Sequence, residues 1–229
     1  MNENVNTKNI RNSTEKIEKS FIIMIGRSGC GKGTQSQLLV KYFEDKYKSL
    51  EVKDSKNITH VTTGEGFRKL ISGDTYTANI SKEITNTGGL NPEFLAIWNW
   101  GNIFINNIKE NDSIILDGAP RKLIEVHVLS SAINFYNYKN PIVIYLDVSE
   151  NWAKDRLLNR GREDDKNEEE VNRKMAWFEN DVMPCINYYK EESSKENTKE
   201  SNSYKFLHIN GEQTPEQISQ DIINKIESL

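Results

Sequence analysis

The stretch Gly26-Arg27-Ser28-Gly29-Cys30-Gly31-Lys32-Gly33-Thr34 holds the residue types with the clearest chemistry in this sequence. Its glycines let the backbone curl until several N–H groups point inward, which makes a concave seat for an anion. Lys32 adds a mobile positive charge of the kind that follows phosphate oxygens. The spacing of Gly26, Gly31 and Lys32 is that of a phosphate-binding loop, with Gly33 standing before the hydroxyl residue Thr34. The unbroken apolar run Phe21–Ile25 precedes it and reads as a strand buried on both faces. A helical segment containing Leu38, Leu39, Val40, Tyr42 and Phe43 follows, and its N-terminus favours negative charge. A ligand-free glycine turn also joins strands to helices, but the whole pattern at such a junction points to phosphate.

A second chemical group lies at Asp117, which ends the apolar run Ser113-Ile114-Ile115-Leu116. An Asp there caps helices or forms turns in many proteins. Beside a phosphate loop it is placed to hold Mg2+ through the ion's water shell. Lys32, Arg68, Arg121, Arg156, Arg160, Arg162 and Arg173 form a cationic set in a chain of net charge −4. Any one of these arginines alone reads as a surface charge. Together they suit phosphoryl transfer, which needs positioning and positive charge more than covalent help from the protein. His60, His127 and His208 lack metal-ligand spacing and read as structural. Glu65 and Glu125 are not paired as acid and base.

These groups need a scaffold, and the chain alternates strand and helix signals. Ile58–Thr62, Ser113–Leu116, Pro141–Leu146 and Tyr204–Ile209 read as further strands after Phe21–Ile25. Helical patterns fill the gaps: Phe94, Trp98, Gly101 and Ile105 recur on one face, as do Val126, Leu129 and Ile133. The expected fold is a three-layer α/β/α arrangement around a parallel five-stranded sheet. Trp98 and Trp100 are expected to pack rather than to form a ligand platform. Tyr47–Lys56 and Glu191–Ser203 read as polar loops. Asp164 and Asp165 are expected to open a long helix through Val171 and Met175, either as charges complementing its dipole or as a hinge. Pro184 is expected to kink that helix.

Bulk properties exclude several classes. With 229 residues, one α/β domain is the natural unit; 28% of residues are charged and 36% hydrophobic. A net charge of −4 argues against a dedicated nucleic-acid binder. Cys30 and Cys185, the two cysteines, suggest neither disulfides nor a metal site, in keeping with a reduced cytoplasmic setting. No run reaches the ~18 apolar residues of a membrane helix. The polar start is expected to be a disordered extension over residues 1–19, without a signal-peptide segment, followed by the domain at 20–229.

Further motifs narrow the class. Gly31-Lys32-Gly33-Thr34-Gln35, His60-Val61-Thr62-Thr63-Gly64-Glu65-Gly66-Phe67-Arg68, Gly88-Gly89-Leu90-Asn91-Pro92 and Asp117-Gly118-Ala119-Pro120-Arg121 occur in that order. Arg156-Leu157-Leu158-Asn159-Arg160 and Arg162-Glu163-Asp164-Asp165, with Arg173 beyond, complete the set. From about Phe21 onward the chain resembles the adenylate kinase family of nucleoside monophosphate kinases. The resemblance implies transfer of a phosphoryl group from ATP to a nucleoside monophosphate, AMP foremost, with Mg2+ as cofactor. It implies a helical monophosphate-binding insert at about 62–92 and a very short lid at about 160–166, which leaves no room for the zinc site of long-lid relatives. Gly29, Gly31, Lys32, Gly33, Thr34, Arg156 and Arg160 would bind ATP. Thr63, Gly64, Arg68, Asn91, Gly118, Arg121 and Glu125 would bind the acceptor. Lys32, Arg121, Arg162 and Arg173 would act on the migrating group, and Asp117 would hold Mg2+ through water. A monomer is expected.

Three positions depart from the family pattern. Ser28 stands where many relatives carry proline, and Gly66 replaces a larger apolar residue. Glu125 stands where a glutamine reads adenine. An ionised carboxylate only accepts hydrogen bonds and would face the lone pair of adenine N1. A pyrimidine or broad-specificity monophosphate kinase is therefore a rival reading, and a nucleotide-binding protein without turnover is another. A shikimate- or gluconate-type kinase lacks support from the Asp117–Arg121 stretch. Glu125 is expected either to contact the acceptor base or to pair with Lys122 on the outer face of its helix.

Overall fold

All five apolar runs become strands of one parallel sheet: β1 (Phe21–Gly26), β2 (Ile58–Thr62), β3 (Ser113–Asp117), β4 (Ile142–Asp147) and β5 (Lys205–Asn210). The computed structural model describes residues 19–49, 57–162, 165, 167–195 and 203–229, so the expected N-terminal extension lies almost wholly outside the described residues. The strand order is β2-β3-β1-β4-β5. Every pairing is parallel, with Met24 opposite Asp117 on one side of β1 and Ile144 on the other. From β1 the chain passes to the β2–β3 side and then crosses to β4. Ligands of open parallel sheets bind at such a reversal, beyond the carboxyl ends of the strands. The glycine-rich loop leaves β1 at that point.

The alternation along β1 explains why it is apolar throughout. Phe21, Ile23 and Ile25 face one layer, with Trp100, Phe104, Val126, Leu129 and Tyr189. Ile22 and Met24 face the other, with Leu39, Phe43, Leu157, Met175 and Ile222. The first layer is built from α4 (Glu93–Asn107), α5 (Leu123–Phe135) and α8 (Met183–Ser193). The second is built from α1 (Lys32–Ser49), α6 (Glu150–Asn159), α7 (Glu168–Trp177) and α9 (Pro215–Glu227). This is the expected three-layer α/β/α arrangement. Between β2 and α4 stand two short helices, α2 (Thr63–Ile71) and α3 (Tyr76–Asn86).

Four local expectations change. Phe94, Trp98 and Ile105 do share a face of α4, but that face points to solvent, with Trp98 52% exposed. The buried face is Leu95, Asn99, Trp100 and Phe104. Apolar residues surround this helix, so periodicity alone could not choose a side. Tyr47, placed in a loop by its charged neighbours, continues α1 and is buried against the sheet. Asp165 does not open α7, which begins at Glu168 with Asn167 as its cap; Asp164 lies outside the described residues. The irregularity expected at Pro184 is a π-helical turn, Phe178–Val182, and Pro184 sits in the first turn of the helix after it. The π-helical turn shifts the hydrogen-bond ladder just before the proline, with the Met183 N–H donating to the Phe178 carbonyl, and a proline lacks the N–H that the next rung would need.

Glu125 requires a correction of both its expected roles. It is 3% exposed and turned inward. Its Oε1 accepts from the backbone N–H groups of Arg121 and Lys122, each at 3.2 Å, at the start of α5. Lys122 pairs with Glu93 instead, at 2.8 Å. The spacing that suggested a base reader is also the spacing of a helix-capping carboxylate three residues inside the helix. Oε2 is buried without a hydrogen bond. Desolvation pushes the carboxyl above the ordinary glutamate range, and the two N–H donors and the Arg121 charge offset only part of this.

The sign of that shift gives a prediction. Below the ordinary glutamate range both folded and unfolded chains hold the proton, and burial costs nothing extra. As pH rises, the unfolded chain ionises first, so stability falls through the window up to the raised value. Glu125→Gln keeps the capping oxygen and cannot ionise. Thermal unfolding between about pH 4 and 7, a range spanning the ordinary glutamate value, should show the wild type losing stability relative to the variant. A gap independent of pH would refute the buried-acid reading.

Candidate active site

The glycine-rich loop is held tightly against its surroundings. A Cβ on Gly29, whose φ is +88°, would lie 2.7 Å from the Ala153 carbonyl of α6, so only glycine fits there. Arg27 anchors the loop from outside. Its Nε donates to the Val148 carbonyl at 3.1 Å, its guanidinium pairs with Glu179 at 2.5 Å, and it lies 4.2 Å from the Phe178 ring centroid. Lys32 opens α1 and folds back, donating to the carbonyls of Gly26 and Arg27 at 2.8 Å each. The ammonium group is thus kept at the mouth of the loop.

Asp117 closes β3 beside this loop: a Cβ added to Gly33 would be 3.6 Å from its Oδ2. A single hard carboxylate next to a phosphate seat fits Mg2+, which takes few protein ligands and keeps its waters. The turn after β3 carries Arg121, whose Nε donates to the Gly118 carbonyl at 2.8 Å. Thr63 Oγ1 donates to the Asp117 carbonyl at 3.3 Å. At the other end, Arg156 lies on α6, with its guanidinium 5.5 Å from the Trp152 ring, and Arg160 ends that helix.

These groups surround a cleft of about 950 Å³, at the upper end of the range of roughly 300–1,000 Å³ for small-molecule sites. Among the described residues its charged lining is Lys32, Arg68, Arg121, Arg156, Arg160, Arg162 and Lys174, against Glu65 and Asp117 alone. In an acidic chain this is a concentrated receptor for a polyanion. Gly29, Gly31, Gly33 and Thr34 line the loop end; Gly64, Arg68, Asn91, Gly118 and Arg121 line the end facing α2 and α3. The Asn91 amide is engaged within the insert, accepting from Ser81 at 2.7 Å and donating to Thr85 at 3.0 Å.

Three expected residues are not brought to this cleft. Glu125 caps α5, as described above. Thr63 is 2% exposed and supports the Asp117 backbone from behind. Arg173 points outward from α7, donating to the Thr87 carbonyl and pairing with Glu169 at 3.0 Å. The residue of α7 that reaches the cleft is Lys174. Its Nζ lies 2.7 Å from Oδ1 of Asp165, whose other oxygen accepts from Arg160. Asp165, with a fully buried side chain, is thus the bridge between two cleft cations. The signal was present in the sequence. Val171 and Met175 mark the buried stripe of α7, and helical spacing puts position 174, not 173, on that stripe.

Which of these two α7 cations acts on the ligand is testable. If Lys174 is the one that acts on the ligand, Lys174→Met should lower kcat/KM for phosphoryl transfer by about 100-fold or more, the scale of loss for one removed stabilising group. Arg173→Ala should keep kcat within about tenfold, since its contacts are with the protein surface. Steady-state kinetics on both variants, read well below their melting temperatures, decides it. The reverse ranking would restore Arg173 to the site.

Comparison with known proteins agrees with this geometry. The family model described as Adenylate kinase matches residues 24–194. An adenylate kinase of Prochlorococcus marinus (strain MIT 9515) is 34% identical over 209 residues, covering 91% of this chain and 99% of that protein. One from Prochlorococcus marinus subsp. pastoris (strain CCMP1986 / NIES-2087 / MED4) is 33% identical over 190 residues, with 82% and 94% covered. One from Phocaeicola vulgatus is 28% identical over 211 residues, with 91% and 98% covered. A phosphate loop at the sheet's reversal point, a cation-lined cleft beyond it and a match across most of the sequence lead to one conclusion: the chain belongs to the adenylate kinase family.

Proposed function

We propose that this chain transfers the γ-phosphoryl group of ATP to AMP, giving two molecules of ADP. The observation that carries this is the ring of seven cations around a phosphate loop. An oxygen of the AMP phosphate forms the new bond to phosphorus as the bond to the β–γ bridging oxygen breaks. The attacking phosphate is already an anion, so no general base is needed. The loop backbone at Gly29, Gly31 and Gly33, with Thr34, seats the ATP phosphates; Arg156 and Arg160 hold the donor from α6. Arg68, Arg121, Gly64 and Gly118 hold the acceptor phosphate. Lys32, Arg121, Arg162 and Lys174 face the migrating group and offset its charge. Asp117 would orient the water shell of Mg2+, which when bound neutralises phosphate charge.

In this reading α2 and α3, within 62–92, form the acceptor-binding insert, and 160–166 forms the short lid. Phe67 and Ile71 supply apolar wall at the acceptor end. The enzyme works as a monomer in the cytoplasm, supplying nucleotide synthesis. Among the described residues no helix is long and apolar enough to cross a membrane. With Glu125 turned into the core, the main objection to an adenine acceptor falls away, and AMP is favoured over a pyrimidine monophosphate.

A coupled assay of the purified protein with ATP, Mg2+ and each of AMP, CMP, UMP and GMP tests this, with AMP expected to give the highest kcat/KM. Turnover with none of the four would leave a nucleotide-binding protein. Lys32→Met should lower the rate by about 10³-fold or more with the fold intact. Retention of more than about a tenth of wild-type activity would remove Lys32 from the proposed role.

A further inference from the structure

We propose that Trp177 is a positioning residue that couples Arg121 to the docking of the insert, and that of the two nucleotides it governs binding of the acceptor. The inference rests on the assignment of the insert and of Arg121 to the acceptor.

Trp177 ends α7 and is followed by the π-helical turn, a feature that often marks functional positions in helices. Its indole lines the cleft next to Arg121 and makes two contacts with different elements. Nε1–H donates to the Gly88 carbonyl at 3.1 Å, and the ring lies 5.5 Å from the Arg121 guanidinium carbon. An indole has a single N–H donor, so this bond fixes the plane that the guanidinium meets. A guanidinium beside an aromatic face is held by cation–π attraction and loses less orientational freedom when it grips an anion.

Gly88 belongs to the turn that follows α3, and that turn docks on one stripe of α7. Glu170, Arg173 and Trp177 lie three and four residues apart, hence on one helix face. Arg173 donates to the Thr87 carbonyl. A Cβ on Gly88, whose φ is +71°, would stand 2.7 Å from the Glu170 carbonyl, so backbone meets backbone there and only glycine allows it. The insert is therefore latched to α7 at the turn, and Trp177 is the latch member that also touches an acceptor-site arginine. Loosening it loosens the insert and removes one support of the Arg121 guanidinium, whose Nε keeps the Gly118 carbonyl. The phosphate loop adjoins Trp177 but takes its hydrogen bonds and ion pair from Val148, Glu179 and its own carbonyls, and Arg160 is held by Asp165, so donor binding should respond much less.

Three variants test this: Trp177→Ala, Trp177→Phe and Gly88→Ala. Trp177→Phe keeps a ring beside Arg121 and loses the hydrogen bond. It should raise KM for AMP about two- to tenfold, the equivalent of one hydrogen bond. Trp177→Ala should raise it about tenfold or more by removing the ring as well. Gly88→Ala should give the same signature, because it moves the turn off α7 without touching Trp177. In all three, KM for ATP should stay within about threefold, because the contacts that are lost lie on the acceptor side. An unchanged KM for AMP, or parallel rises for both substrates, overturns the proposal. Should Trp177→Ala fail to fold, the other two variants decide it by the same criteria. Hydrogen exchange of the ligand-free proteins over residues 84–92 tests the latch apart from catalysis. Faster exchange in the variants supports it, and unchanged exchange overturns it. If the wild type proves inactive on AMP, the functional reading fails while this last measurement still decides the latch.

Discussion

Gathering seven cations around one cleft is unfavourable until a polyanion arrives, because like charges at short range repel in a partly desolvated site. The structure answers this constraint cation by cation. Lys32 rests on two carbonyls of its own loop, and Arg121 rests on the Gly118 carbonyl. Arg160 and Lys174 share the buried carboxylate of Asp165. Backbone oxygens and one carboxylate hold the charges in place without neutralising the cleft as a whole, and phosphate oxygens can displace several of these weak partners. The same economy explains Arg27, which lies in the loop sequence but is turned away from the cleft to Val148 and Glu179.

The supports of these charges fall into two groups. β1, β3 and the loop between β1 and α1 are tied into a sheet buried on both faces, so Lys32 and Asp117 keep a fixed separation. Arg68, Arg121 and the turn at Gly88 depend on helices and turns with fewer buried contacts. Elements that must admit and release a ligand are drawn from the less stable parts of a fold. α7 stands between the groups: Val171 and Met175 pack it to the core, Lys174 faces the cleft, and Glu170, Arg173 and Trp177 meet the turn after α3. One helix thus serves three tasks with two stripes, Lys174 extending the buried one.

Glu125 shows how one short motif supports two physical meanings. A carboxylate three residues into a helix can project toward a ligand or return to cap the helix, and local spacing is the same for both. Here the neighbouring backbone N–H groups of Arg121 and Lys122 take it. The buried oxygen left without a hydrogen bond is the residual cost.

The sequence by itself determined the strands, the glycine-rich loop, the strand-end Asp117 and most of the cationic set. Each of these is encoded locally: an apolar run, a glycine spacing, a charge at a strand end. It also carried the family resemblance, which the match over residues 24–194 supports independently. Tertiary structure alone decided which side of an element faced the cleft. α4 is apolar all round, so the sheet's packing, not periodicity, chose Leu95 and Trp100 over Phe94 and Trp98. Arg173 and Lys174 are adjacent cations: helical spacing from Val171 and Met175 marks 174 as the inward one, while the partners each side chain meets, Asp165 for Lys174 and the Thr87 carbonyl for Arg173, exist only once α7 has docked. The latch between Trp177 and Gly88 joins residues 89 positions apart, and no local pattern encodes a hydrogen bond that exists only once two separate elements have packed.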